Sequence, residues 1–152
     1  LSLHDALPIL ELVDYYSLQN TKVSTENNIS VIYEDSKRNI WIGTGLGLYI
    51  KRFRGKIEKL SNMSQSIVTL HEDKEANLWI GAAKGGVFKT QIESPRGYKF
   101  ENIPLNIDSY SSYSVQSICV TQKGEVYIGT REGCLYLYQK KDLCLFRNKT
   151  VD

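Results

Sequence analysis

From Ile29 onward the chain alternates short apolar runs with polar turns. ISVIYED (Ile29–Asp35), IVTLHED (Ile67–Asp73) and VQSICVT (Val115–Thr121) are rich in β-branched residues, and a four-residue polar stretch follows each: SKRN, KEAN and QKGE. Next come IWIGT, LWIGA and VYIGT, then LGLYIKRF, GGVFKT and GCLYLYQ. A fourth run is less regular: KIEKL (Lys56–Leu60), YKFENI (Tyr98–Ile103) and CLFRN (Cys144–Asn148). β-branched and aromatic residues between turn residues predict strands. No amphipathic pattern long enough for a helix of more than two turns interrupts them.

The pattern repeats. NIWIGTGLGLYI (Asn39–Ile50) returns 38 residues later as NLWIGAAKGGVF (Asn77–Phe88), which aligns Trp41 with Trp79, Gly43 with Gly81 and Gly47 with Gly85 without a gap. A third copy, EVYIGTREGCLY (Glu125–Tyr136), follows 48 residues on, with Tyr127 in place of Trp and with Gly129 and Gly133 at the glycine positions. The glycines alone suggest a phosphate-cradling loop, but such a loop occurs once per nucleotide and opens a helix. These stretches occur three times and lead into β-rich segments, which excludes that reading. Four short strands per period of about 40–45 residues is the arithmetic of a propeller blade. The expected fold is all-β, a β-propeller fragment of about three four-stranded antiparallel blades.

Each repeated residue then has a structural task. In the second strand Ile40 and Ile42 face one way and Trp41 and Gly43 the other, as do Leu78/Ile80 against Trp79/Gly81 and Val126/Ile128 against Tyr127/Gly129. Both faces are apolar, so both call for cover, as in stacked blades. Trp41, Trp79 and Tyr127 are the expected large fillers between blades. Gly43, Gly81 and Gly129 give room for close approach. Asp35 and Asp73, just before the turns, are expected to accept turn N–H bonds.

The pattern I-x5-D-x3-N-[IL]-W-I-G-[TA]-x3-G resembles the two-component regulator propeller repeat. It reads here as Ile29, Asp35, Asn39, Trp41, Gly43 and Gly47, and again as Ile67, Asp73, Asn77, Trp79, Gly81 and Gly85. The family usually has glycine before the asparagine, where this chain has Arg38 and Ala76. The third copy departs further, with Val120-Thr121 for Glu-Asp, Glu125 for Asn and Tyr127 for Trp, though Gly124 keeps the turn glycine. The resemblance implies the periplasmic sensor region of a hybrid two-component histidine kinase anchored in the inner membrane. It implies further blades and downstream signalling domains as partners, a homodimeric parent and an oligosaccharide ligand. No phospho-accepting His segment, kinase-type ATP box or receiver acidic pocket is present, so the segment itself is expected to be non-catalytic.

Blades are expected at 29–66, 67–114 and 115–152, the last degenerate and truncated. Residues 10–28 read as the end of a preceding blade and a linker. Leu1–Ile9 (LSLHDALPI) fits no blade. It matches one translated frame of a common sequencing-library adapter, and is read as an artefact.

Composition narrows the function classes. Nineteen Lys and Arg against 17 Asp and Glu give a net charge of +2, with the signs interspersed. That is no footprint for nucleic acid. No apolar run reaches the ~20 residues of a membrane helix. Three cysteines without a C-x-x-C and two histidines make no metal site, and no cofactor is expected. Cys119 and Cys134 read as strand packing residues, with a Cys134–Cys144 disulfide as the alternative in an oxidising compartment. His71 takes the place of Tyr33 and is expected to be buried and hydrogen-bonded. A sialidase-type Asp-box, S-x-D-x-G-x-T-W, is excluded by count, because Asp35 and Trp41 are six steps apart and the box glycine is missing. An interaction scaffold feeding a different output domain is the competing function class. The candidate ligand contacts are Tyr110 and Tyr113, in the long loop DSYSSY before the third repeat.

Overall fold

The computed structural model describes residues 28–105, 114–139 and 142–147, with the backbone alone for 139 and 142–147. Leu1–Ile9, nearly all of 10–28, and Tyr110 and Tyr113 lie outside these residues. Among the described residues twelve strands form three four-stranded antiparallel sheets. The first holds β1 (Ile29–Glu34), β2 (Ile40–Thr44), β3 (Gly47–Lys51) and β4 (Ile57–Lys59). The second holds β5 (Ile67–Glu72), β6 (Asn77–Ala82), β7 (Gly86–Gln91) and β8 (Glu101–Ile103). The third holds β9 (Val115–Val120), β10 (Val126–Thr130), β11 (Cys134–Gln139) and β12 (Asp142–Arg147). Each sheet is a meander in chain order. These are three propeller blades.

The register is the same in each. Trp41 lies opposite Tyr33, Trp79 opposite His71 and Tyr127 opposite Cys119. Each first strand carries a bulge in the same place, because Ile29, Ile67 and Val115 pair with Thr44, Ala82 and Thr130 while Ser30, Val68 and Gln116 are left over. A backbone bond closes each bulge: Gly45 N–H to the Asn28 carbonyl at 3.3 Å, Ala83 to Ser66 at 2.8 Å, and Arg131 to Ser114 at 2.8 Å. A bulge re-aims the side chains beside it, and its recurrence marks it as part of the repeat.

The gapless alignment of the first two repeats holds through the second strand and no further. Thr44 pairs with Gly47 across a two-residue turn, whereas Ala82 pairs with Gly86 across three. Gly47 therefore begins a strand, and its partner in the second blade is Gly86. Gly85 and Gly133 are turn residues with φ of 97° and 80°. The fourth strands also differ from their sequence reading. Tyr98 and Phe100 precede β8 instead of joining it, and β12 starts two residues before Cys144.

The core is two slabs, one in each gap between sheets. Trp41, Leu48 and Ile50 of the first blade meet Ile67, Leu70, Leu78 and Ile80 of the second. Trp79, Val87 and Ile103 of the second meet Val115, Ile118, Val126 and Ile128 of the third. Both faces of the middle strand β6 are covered, and all six of its residues are buried. Among the described residues the end blades have one face each covered by another sheet. Ile29 and Ile32 are 61% and 62% exposed on the first blade, and Leu135 is 40% exposed on the third. Tyr127 accordingly is half-buried instead of filling a gap between blades, because no described sheet packs on its side.

Candidate functional site

The repeated aspartate organises its turn more fully than turn chemistry alone requires. Asp35 Oδ1 accepts from the backbone N–H of Lys37 at 2.9 Å and of Asn39 at 2.8 Å. Its Oδ2 accepts from the Asn39 amide at 2.9 Å and from the Trp41 indole Nε1 at 2.8 Å. Asp73 repeats the set with Glu75, Asn77 and Trp79, the indole bond being 2.7 Å. Four donors satisfy a carboxylate that is 4% exposed in Asp35, which is how an unpaired buried charge is tolerated. The asparagine side chains also reach the far end of the third strand: Asn39 Oδ1 accepts from Phe53 N–H at 3.1 Å, and Asn77 Oδ1 from the Gln91 amide. In the third blade Thr121 replaces the aspartate, and its hydroxyl accepts the Glu125 N–H at 3.1 Å. Without a carboxylate there is no indole partner, and position 127 is tyrosine.

The glycine beside each aromatic is a seat for the next blade. A Cβ on Gly43 would lie 2.7 Å from Ile67 Cγ2, and one on Gly81 would lie 2.7 Å from Val115 Cγ1. Ile67 and Val115 are the bulge-side residues at the start of the following first strand, so the bulge and the glycine serve one contact. Ser30, at its bulge, donates to the carbonyls of Gly43 and Ile67 and ties the first two blades together. Tyr33 Oη accepts from Glu72 N–H at 3.1 Å, and Ser36 bonds the Glu72 carboxylate.

The two gaps differ at the turn end. Beside Trp41 the space is filled by Tyr98, edge-on at 5.0 Å between ring centroids. Tyr98 comes from the long β7–β8 connection and is held by Arg52, which donates to its hydroxyl at 3.0 Å. In the third blade Gln139 of β11 pairs with Asp142 of β12, which leaves two residues between the strands, and among the described residues no counterpart of Tyr98 fills the second gap. Trp79 meets Tyr138 of β11 instead, at 4.9 Å, and a cleft of about 470 Å³ opens beside them. Asp73, Lys74, Glu75, Lys89, Lys123 and Gly124 complete its walls. The Lys89 ammonium lies 5.5 Å from the Trp79 ring centre, 5.8 Å from that of Tyr138 and 3.5 Å from Glu101. Trp79 is 2% exposed, so the half-buried Tyr138 is the aromatic surface open to the cleft, and with lysines on the lips it suits a polar ligand presenting a ring face and an anionic or hydroxyl-rich edge.

The sequence-singled residues fall into place unevenly. Asp35, Asn39, Trp41, Asp73, Asn77 and Trp79 form the two clamps, while Gly43 and Gly81 are the occupied seats. Gly129 holds the same register with no second sheet packed on it among the described residues, and Tyr127 flanks it. Tyr98, Lys89 and Tyr138 were not singled out by sequence. Their neighbours depend on connection length, which the repeat does not encode. His71 is half-buried, with its ring 6.0 Å from Tyr33, and desolvation lowers its pKa. The alternative of a Cys134–Cys144 disulfide does not fit. Cys134 pairs with Arg147 and Cys144 with Leu137, so they stand three residues apart along the ladder, about 10 Å, beyond disulfide reach. Among the described residues no cluster of three or more His, Cys, Asp or Glu is arranged to hold a metal ion, and no helix is long and apolar enough to cross a membrane.

Residues 24–45, which include the first clamp, match the family model described as two component regulator propeller. No curated protein matches the chain. Among solved structures it is similar to the extracellular domain of a putative one component system from B. thetaiotaomicron, at 25% identity and a TM-score of 0.59. The similarity covers 72% of this chain and 16% of that one, so the chain spans a small part of that protein's length. Repeat, register and sheet architecture together make the chain a stretch of β-propeller, and its residues 24–45 match the two component regulator propeller.

Proposed function

We propose that the chain is the ligand-sensing propeller segment of the extracytoplasmic sensor of a hybrid two-component system, and that its ligand is an oligosaccharide. The observation that carries this reading is the likeness to an extracellular domain of a one component system, in a chain that matches the two component regulator propeller. The cleft beside Tyr138 supports a carbohydrate ligand, because the face of the half-buried tyrosine can stack on a sugar ring while Asn, Lys and carboxylate groups bond hydroxyls. The segment does no chemistry in this reading. Kinase activity, inner-membrane anchoring with a periplasmic sensor, and homodimerisation belong to the parent. Ligand binding between blades would favour one packing of the parent dimer over another and so pass a signal across the membrane. Calorimetric titration of the purified chain with a panel of neutral and acidic oligosaccharides tests it. Saturable binding to one class, lost in Lys89→Ala but not in Lys56→Ala, is expected. Absence of binding across the panel, or hydrolysis of any member, would contradict it.

A further inference from the structure

In each blade one residue of the third strand lies opposite the aromatic of the second: Ile50 opposite Trp41, Lys89 opposite Trp79 and Leu137 opposite Tyr127. Two of the three are aliphatic, and Ile50 is fully buried in the first core slab. The second blade therefore places a cation where the first places an apolar filler. The Lys89 side chain is 18% exposed, and its ammonium lies beside the Trp79 and Tyr138 rings. Its carboxylate neighbour is Glu101, at 3.5 Å with a side chain 64% exposed, which makes a weak partner. A charge drawn into a gap costs stability unless something neutralises it.

The surroundings are arranged for an anion. Asp73 already accepts four hydrogen bonds within its clamp. That leaves Glu75 as the cleft's uncommitted carboxylate, against the ammonium groups of Lys74, Lys89 and Lys123. Lys89 and Asn77 are also walls of a second cleft of about 360 Å³, which carries Lys99 and the half-buried Phe100. Lys89 thus stands between two clefts, each with an aromatic and a further lysine. The first cleft lies in the joint between the second and third blades, and the second lies wholly on the second blade. We propose that the ligand is an acidic oligosaccharide, with the anionic group of one unit on the Lys89 ammonium and the units on either side against Tyr138 and Phe100. This rests on the oligosaccharide-sensing reading above and narrows it to sugars bearing a carboxylate or a sulfate ester.

Calorimetric titration of the full chain tests it, with a galacturonic acid tetramer, its neutral galactose counterpart, a sulfated disaccharide, galacturonate monomer and inorganic sulfate as probes. At least one of the two acidic oligosaccharides is expected to bind roughly tenfold or more tightly than the neutral tetramer, the monomer or sulfate, and less tightly as salt rises. Which of the two binds better assigns the anion. Lys89→Met keeps an unbranched stem and is expected to hold the melting temperature while weakening acidic binding by roughly tenfold or more. Glu101→Gln, which removes the competing carboxylate, is expected to tighten it. Equal affinity for the neutral tetramer, or acidic binding unchanged in Lys89→Met, would overturn the proposal and leave the oligosaccharide reading standing. Inorganic sulfate bound as tightly as the oligosaccharides would reduce the site to a lone anion contact and overturn it too. Failure of every sugar to bind would overturn both.

Discussion

The Trp79 indole donates to the Asp73 carboxylate at 2.7 Å, six residues away along the chain, and Trp41 does the same to Asp35 at 2.8 Å. The bond fixes a large side chain in the gap between blades and ties it to the turn that starts its own strand. Removing the carboxylate leaves a buried indole N–H, an asparagine amide and two turn N–H groups without partners. Asp73→Ala is expected to cost about 2–4 kcal/mol, since leaving buried donors unsatisfied costs more than the net worth of the bonds. Trp79→Ala, which also opens a cavity, is expected to cost about 3–5 kcal/mol. Trp79→Phe should fall between wild type and Trp79→Ala. Urea unfolding measures all three, and an unchanged midpoint for Asp73→Ala would show the clamp to be idle.

The turn after each first strand needs a left-handed residue. Arg38, Ala76 and Gly124 occupy it with φ of 66°, 59° and 84°. Only the third is glycine, and an added Cβ there would meet nothing within 4 Å, so its cost is purely conformational. Gly124→Ala is expected to destabilise by about 1 kcal/mol, and Ala76→Gly to recover part of that order in its own turn. Thermal unfolding resolves the sign. Opposite signs are required, and two destabilisations would mean that the Ala76 methyl, which packs against the first core slab, outweighs its backbone strain.

His71 gives the stability a pH dependence. Desolvation holds its pKa below the ordinary 6.5. Between the folded and unfolded values the unfolded chain binds more protons, so stability rises with pH through that window. It is fully present above about 6.5, is lost as pH falls below that, and levels off under the folded value. His71→Tyr, which installs the residue of the preceding repeat, Tyr33, should flatten the acid side of a melting-temperature profile between pH 7.5 and 5. An unaltered profile would assign the acid sensitivity to other groups.

Much of the fold was legible because the chemistry of a blade repeats where its geometry repeats. The Asp, Asn, Trp and Gly spacing appears twice in register, and it marks one strand, one turn and one seat. The third copy was legible through Gly124 and Gly129 even though Thr121 and Tyr127 had replaced the clamp. What the sequence did not reveal depends on connections outside the repeat. Gly47 and Gly85 align by count, yet one extra turn residue makes Gly86 the true counterpart. Tyr98 reads as part of a fourth strand, yet the β7–β8 connection is long enough for it to leave the sheet and cover Trp41. The cleft beside Trp79 exists because the matching connection in the third blade is short. Neither effect has a periodicity to read. The tyrosines proposed for ligand contact, Tyr110 and Tyr113, lie outside the described residues, and the cleft offers Tyr138 instead.

Stacking through glycine seats is tested most directly by a double-mutant cycle on Gly81 and Val115. A Cβ on Gly81 would approach Val115 Cγ1 to 2.7 Å and Thr69 Cγ2 to 2.5 Å. Gly81→Ala is therefore expected to overpack the joint at a cost of about 1–3 kcal/mol. Val115→Ala removes the facing methyls from the neighbouring blade at its own cost. If the blades meet there, the double variant should be more stable than the sum of the two losses allows, by roughly 1 kcal/mol, as coupled neighbours are. Strict additivity in urea unfolding would contradict the contact, and with it the stacking of the second blade on the third.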